Sequence, residues 1–403
     1  MRCLDTCDPR IYVALSRKRG SGAAGAGIHL EEALVKLIGE TVERSAWASY
    51  NPTPSRVISS SYESLKRQKH NVVATNFLDV YSENSLRHHE GTMNGFSLTD
   101  VIKWVRCESL TMPSKQVLLP GQILSRTIRA DERTRGKIFL PGVSTGVAAH
   151  IDARKALLRS ILECYEADAI MTNWYTMRKS PSVDYRGTMM ERIIREIMRV
   201  RNPSQVQILY ITLPRTPVHT FLSLLVNDPG EFPTFSIGLG ADFDPVRGAY
   251  HSLVEAIAMF VSSELLLATD LERHFGTIDP NKIYSLGPNY LYYLRSENKS
   301  LIRGLLSDIV DRRRTVKLSE LPNLDSGNAG KNLVWLVNQT SKLSNYAVFQ
   351  DMTNANARRL GMFVTGVIIP ELTPIQMPSM PCDKSPALTE YGGVRNIHPH
   401  PLS

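Results

Sequence analysis

The chain has 403 residues, 42% of them hydrophobic and 21% charged, with a net charge of +8, a composition typical of globular proteins. No run of about eighteen apolar residues occurs, which excludes an ordinary spanning helix, and MRCLDTCDPRIYV at the start lacks the apolar core of a secretory signal, so a cytoplasmic location is expected. Five scattered cysteines, Cys3, Cys7, Cys107, Cys164 and Cys382, make neither a disulfide framework nor a full zinc set.

In chain order, apolar residues at helical spacing predict helices over residues 30–48, 153–175 and 188–200. Runs rich in branched and aromatic residues then read as strands: VQILYITL (206–213), TFLSLLVND (220–228) and FPTFSIGLGA (232–241). Helices are predicted again over 247–269 and 297–313, and strands over NYAVFQDMT (345–353) and MFVTGVIIP (362–370). This mixture implies an α+β fold of mixed α/β character, one large domain of sheets backed by helices over residues 1–373. Prolines recur at Pro374, Pro378, Pro381, Pro386, Pro399 and Pro401. Residues 374–403 therefore read as a separate tail, either extended in polyproline fashion or disordered. Basic clusters at 16–20, 192–201 and 311–317 are either solvated faces or a lure for an anionic partner. No nucleic-acid-reading motif accompanies them.

Three stretches repeat one pattern, a glycine-rich turn followed by an amphipathic helix that carries glutamate. They are GAGIHLEEALVKLIGETVERSA (25–46), STGVAAHIDARKALLRSILECYEADA (144–169) and GLGADFDPVRGAYHSLVEAIAMF (238–260). Residues three apart share a helix face, so Glu40 with Glu43, and Glu163 with Glu166, each present two carboxylates in one direction. Magnesium prefers such oxygen ligands and keeps water and substrate phosphates in its shell. Glu163 lies in a largely apolar helix, where a charge is costly unless paired or metal-bound. The turns SGAAGAG (Ser21 to Gly27) and STG (Ser144 to Gly146) either bind phosphate through backbone amides or serve tight packing. His29, His150 and His251 read as polar packing residues, and Cys164 as a buried packing residue.

On these residues, together with ETVER (40–44), GMFVTGVIIPEL (361–372) and HPHPL (398–402), most of the chain resembles the YcaO family. The likeness is to the cyclodehydratases of azole-modified ribosomal peptides. It implies a single YcaO-like domain with a central ATP cleft, ATP and Mg2+ as cofactors, and Glu40, Glu43, Glu163 and Glu166 as metal ligands. It implies cyclodehydration of Cys, Ser or Thr to thiazoline or oxazoline by phosphorylation of a backbone amide oxygen. Glu255 would hold the site's hydrogen-bond network or a second metal, and Arg19, Arg44 and Arg159 would pair with phosphate or carboxylate. Ser21, Gly25, Gly27, Ser144 and Gly146 would contact the nucleotide. The tail, with Pro399, Pro401 and Ser403, would reach the active site. Departures from the family pattern fall at Ala26, Lys36, Ala167, Ala258 and Ser403. Implied partners are a precursor peptide, a separate leader-binding ubiquitin-activating-like subunit and a flavin-dependent azoline dehydrogenase, with neither nucleic acid nor membrane. Two other readings stay open: thioamide or amidine formation by the same amide activation, and a non-catalytic peptide-binding scaffold.

Overall fold

The computed structural model describes residues 2–5, 11–16, 23–142, 144–201, 205–227, 233–269, 278–295 and 298–402. Three strands, β1 (Arg2–Asp5), β2 (Tyr12–Ser16) and β3 (Ala23–Gly27), lead into α1 (Leu30–Ser49). Then come β4 (Val57–Ser60), α2 (Tyr62–Arg67), α3 (Glu83–His88), β5 (Ile102–Ser109), β6 (Gln116–Pro120) and α4 (Arg126–Thr134). The second unit is β7 (Val147–His150) and α5 (Ala153–Thr176), followed by β8 (Ser180–Asp184) and α6 (Met189–Arg201). The third is the run β9 (Gln205–Tyr210), β10 (His219–Val226), β11 (Phe235–Asp242) and α7 (Pro245–Thr269). The remainder is α8 (Leu286–Leu294), α9 (Lys299–Ile309), β12 (Val310–Lys317), α10 (Ala329–Leu343), β13 (Val348–Asp351), α11 (Ala355–Arg359), β14 (Phe363–Ile368) and α12 (Pro386–Thr389). The fold is thus mixed α/β, as expected.

The strands form three sheets: β1-β2-β3, β11-β10-β9-β8-β12, and β4-β5-β13-β14-β7 with β6 added on β5. Among the described strands every pairing is antiparallel except β8 with β12. In β10, Phe221 and Leu225 pack with Ile193 and Ile197 of α6 and Leu253 and Ile257 of α7. Leu222 and Leu224, on the other face, pack with Trp174, Tyr292 and Ile302. Helices cover both faces of this sheet, so β10 is buried from end to end and its sequence is a continuous apolar run rather than an alternation.

The glycines of the first and third units do not form turns, contrary to the sequence reading. Gly25 and Gly27 lie in β3, and Gly238 and Gly240 lie in β11. They let a helix lie directly on a strand. A Cβ at Gly25 would sit 2.2 Å from the Ala33 carbonyl oxygen, and one at Gly238 would sit 2.2 Å from both Ala256 N and the Ser252 carbonyl oxygen. Only the second unit has the expected turn, where Gly146 adopts φ +83°.

The tail is neither a free polyproline rod nor a loose end. Met380 and Cys382 enter the core around Trp104, and Leu388 enters the core around Trp174. Within α5, Asp168 is fully buried and takes both arms of Arg215 at 2.7 and 2.9 Å. It also accepts from the Thr373 amide at 2.8 Å, which pins the entry to the tail.

Gly238→Ala should destabilise the protein by about 1–3 kcal/mol, the usual range for overpacking, because the backbone of α7 at Ser252, Glu255 and Ala256 blocks the new methyl. Chemical denaturation reads this directly, and an unchanged midpoint would refute the close-approach account.

Candidate active site

The three strand–helix units bring their glutamates to one cleft of about 1250 Å³. Glu40 and Glu43 come from α1, Glu163 and Glu166 from α5, and Glu255 from α7, and all five line it. Four of the carboxyls rest on strand or turn amides. The Ala24 amide donates to Glu40 Oε2 at 2.7 Å, and the Leu239 amide donates to Glu255 Oε2 at 2.5 Å. The Gly146 amide donates to Glu163, and the Ala241 amide to Glu166. Close strand–helix packing through Gly25 and Gly238 therefore places an N–H donor beneath Glu40 and Glu255.

Cationic compensation is sparse. Arg44 Nη2 lies 2.5 Å from Glu40 Oε1, yet burial still raises the Glu40 carboxyl. Burial, and then the Glu40 charge, push Glu43 up to about 8. Burial and the neighbouring Glu255 charge push Glu166 up to about 8. Glu163 rises well above the usual carboxylate range through burial, then through Glu43 and Glu166. Burial pushes Glu255 up to about 7; its side chain is open to the cleft and ringed by protein elsewhere. Such a set of hard oxygen donors fits Mg2+. Among the described residues no three acidic, His or Cys side chains close on a point tightly enough to enclose a metal by themselves. That suits an ion whose shell is completed by water and phosphate oxygens.

The far wall comes from α7, α8 and the tail: Met259, Leu286, Tyr290, Ile375, Pro401 and Leu402. Buried side chains clamp the tail by its carbonyls. Trp174 Nε1 donates to the His398 carbonyl at 3.0 Å, and Tyr293 donates to that of Pro399. Asn289 Nδ2 donates to the His400 and Leu402 carbonyls at 2.6 and 2.7 Å. His400 is itself buried, its Nε2 donating to the Gln376 carbonyl at 2.9 Å. Burial pushes this imidazole down to about 4, so it is neutral at physiological pH.

The structure brings Ser144 and Arg44 into the cleft as expected. Gly25 and Gly27 face α1, in a packing role. Gly146 serves through its amide. Arg159, expected as a phosphate partner, faces a second cavity of about 900 Å³ with His150, Lys155 and Arg247, where it lies 3.7 Å from buried Asp242. His251 is pushed down to about 3, first by burial and then by Arg159, while His29 is exposed, so none of the three histidines acts as a base in the cleft. Pro401 lines the cleft, whereas Pro399 contributes only its clamped carbonyl. Arg19, Ser21 and Ser403, like Cys7 and most of the 16–20 basic cluster, lie outside the described residues. Three departures have clear places: Ala167 lines the cleft, Ala26 and Ala258 are core. Lys36 pairs with Glu32 at 2.7 Å, and Glu32 accepts from Tyr250 at 2.9 Å. Sequence reasoning missed Tyr290, Asn289 and this Lys36–Glu32–Tyr250 network.

Folded carboxyls at about 7 to 8 hold protons that the unfolded chain releases above about 4.5. The folded state binds more protons in that window, so stability falls as pH rises through it. The buried His400 opposes this only below its ordinary value of 6.5. From pH 6.5 to about 8, cation-free protein should lose melting temperature. Mg2+ should restore more of it at the upper end, and Glu163→Gln should shrink both effects. Scanning calorimetry at the two pH values tests this, and a Mg2+ response equal at both would overturn it.

The sequence from residue 24 to 373 matches the model of the YcaO cyclodehydratases, described as binding ATP and Mg2+. No curated protein matches it as a sequence relative. Solved structures share its fold. A heterocyclase in complex with substrate and cofactor superposes with a TM-score of 0.69 at 16% identity, over 92% of this chain and 49% of that one. YcaO from Methanopyrus kandleri, bound with AMPPCP and Mg2+, gives 0.64 at 18%, over 94% and 87%. The E. coli microcin synthetase McbBCD complex with pro-MccB17 bound gives 0.59 at 17%, over 90% and 88%. The chain spans about half the length of the heterocyclase, and at these identities the likeness carries the fold alone.

Proposed function

The chain belongs to the YcaO family and is an ATP-dependent enzyme with ATP and Mg2+ as cofactors, and from that premise we propose that it is the azoline-forming cyclodehydratase subunit of a synthetase acting on ribosomally made peptides. The supporting observation is the meeting of five glutamates with the tail residues Pro401 and Leu402 on one cleft. When bound there, ATP with Mg2+ supplies the phosphoryl group that makes an amide oxygen a good leaving group. Glu40, Glu43, Glu163 and Glu166 would hold the Mg2+, and Arg44 and Ser144 would meet polar groups of the nucleotide. Glu255, pushed up to about 7, is suited to hold and pass a proton near neutrality. Tyr290, Leu286 and the clamped tail confine the peptide and limit water, so the protein's contribution is positioning and charge stabilisation. The Cys, Ser or Thr side chain of the peptide adds to the preceding carbonyl carbon, that oxygen would leave as inorganic phosphate, and loss of the amide nitrogen's proton completes the C=N bond of a thiazoline or oxazoline.

In this reading residues 1–373 are the catalytic domain and 374–403 the segment that closes it. A separate leader-binding subunit and a flavin-dependent azoline dehydrogenase complete the assembly; the E. coli microcin synthetase is likewise a complex. No described helix is long and apolar enough to cross a membrane.

Incubation of a candidate precursor with this protein, its leader-binding partner, ATP and Mg2+ should remove one water mass per modified Cys, Ser or Thr, matched by phosphate release. An unchanged mass with cognate peptide and assembled complex would refute the reading. Glu163→Gln should lower turnover about 100- to 1000-fold, the scale for loss of one electrostatic stabiliser, with partner binding retained. Asn289→Ala removes two buried hydrogen bonds to the tail, each worth about 1 kcal/mol. It should slow cyclisation about tenfold or more while leaving Mg2+-dependent nucleotide binding within about twofold. Equal loss of both would remove the tail from peptide positioning.

A further inference from the structure

The cleft has two chemically unlike halves. The carboxylates of α1, α5 and α7 make one; α8, with Met259 of α7 and with Ile375 and Leu402 of the tail, makes the other. Leu286, Tyr290 and Leu294 stand four apart on α8, so they share one helix face, and all three line the cleft. Leu286 is 36% exposed, and Met259, Tyr290, Ile375 and Leu402 are half-buried. This apolar surface is therefore open to whatever enters the cleft.

The polar groups on this side are already engaged. The Tyr290 hydroxyl donates to the Met259 carbonyl at 2.7 Å and meets the Ser263 hydroxyl, so what Tyr290 offers the cleft is its ring. Tyr293 donates to the Pro399 carbonyl. Arg44 is the only cation among the described residues lining the cleft, and it stands with Glu40 on the other side. Phosphate therefore finds no partner on the α8 wall, and a purine stacked there would bury its ring nitrogens and amino group without hydrogen bonds, which is costly. An apolar side chain gives up nothing there, and its burial is favourable in proportion to the area covered. Methionine adds a wall that adapts to the shape of its guest. The amide being activated must come to the phosphoryl group on the carboxylate side, and the residues joined to it then occupy the rest of the same cleft.

We propose that the α8 wall selects precursor peptides in which a large apolar residue adjoins the Cys, Ser or Thr being cyclised, with Leu286, Tyr290 and Met259 as the specificity-determining residues. The identity of the ligand as substrate rests on the cyclodehydratase reading; the preference of the wall for an apolar side chain does not.

The test uses the full chain, with N-acetyl-leucyl-serine amide as probe and N-acetyl-asparaginyl-serine amide, of nearly the same size and also uncharged, as control. In protein labelled at methionine ε methyls, the leucyl probe should shift the Met259 signal, assigned by its loss in Met259→Leu. It should bind about tenfold or more tighter than the asparaginyl probe, the scale on which an apolar pocket discriminates. Leu286→Asp places a carboxylate in the first turn of α8, where the helix dipole favours it, so a loss of binding in this variant does not report unfolding. Leu286→Asp should bind the leucyl probe about tenfold more weakly, Leu286→Met should bind it as wild type, and both should keep Mg2+-dependent AMPPCP binding within about twofold. Equal binding of the two probes, an unmoved Met259 signal or full binding by Leu286→Asp would overturn the proposal. Loss of AMPPCP binding in Leu286→Asp would overturn it too, by giving the wall to the nucleotide. A protein that prefers the leucyl probe but removes no water from any precursor would sink the cyclodehydratase reading alone. One that cyclises leucine- and asparagine-flanked precursors with equal kcat/KM would sink this proposal alone.

Discussion

Five carboxyl groups held in one protein-walled cleft are the constraint on which the rest of the architecture turns. Like charges brought together in a low-dielectric site repel, and burial adds a desolvation penalty to each. Arg44 offsets only part of this, at Glu40. The remaining relief comes from backbone amides, and those beneath Glu40 and Glu255 are within reach because α1 and α7 lie almost on their strands. Gly25, Gly238 and Gly240 make that approach possible, since a methyl at any of them would strike helix backbone. Glycine here serves electrostatics by way of packing: it brings a strand N–H within reach of a helix carboxylate. What the amides leave uncompensated is a demand for a cation, and the raised protonation of Glu43, Glu163 and Glu166 expresses that demand.

Asp168 makes the contrast on the same helix. Two residues beyond Glu166, it is more deeply buried than any of the five. It nevertheless has bidentate Arg215 and the Thr373 amide. Removing one partner of such a pair strands a charge, typically at about 3–5 kcal/mol. Asp168 is thus structural and complete in the protein alone, holding the start of the segment that delivers Ile375 to the cleft. Glu163 and Glu166 are incomplete in the protein alone. Completeness of partners, rather than burial, separates the structural carboxylate from the functional ones.

Much of this was legible in the sequence. The helix over 30–48 is observed as Leu30–Ser49, and that over 153–175 as Ala153–Thr176, because their apolar spacing reflects a face that is buried. The convergence of the glutamates was legible through their spacing on three similar units. The glycine segments were misread because a glycine that lets a helix approach a strand and a glycine that turns the chain look alike locally; the difference lies in which residues stand opposite. The course of the tail, as distinct from its reach towards the cleft, was not legible for a related reason. Its prolines favour extension in isolation, but Asn289, Tyr293 and Trp174, more than a hundred residues away in sequence, seize its carbonyls. Neither Asn289 nor Gln376 belongs to any local pattern, and each acquires meaning only from what the fold sets beside it.

The ground behind the anionic cleft bears on its charge: an apolar cavity lined by Cys164, Val367, Ile369 and Leu372 lies there. Helix α5 is their common wall, with Glu163 on one side and Cys164 on the other. An apolar medium directly behind a carboxylate withholds the solvation that bulk water would give it, which favours the protonated or cation-bound form over the bare anion.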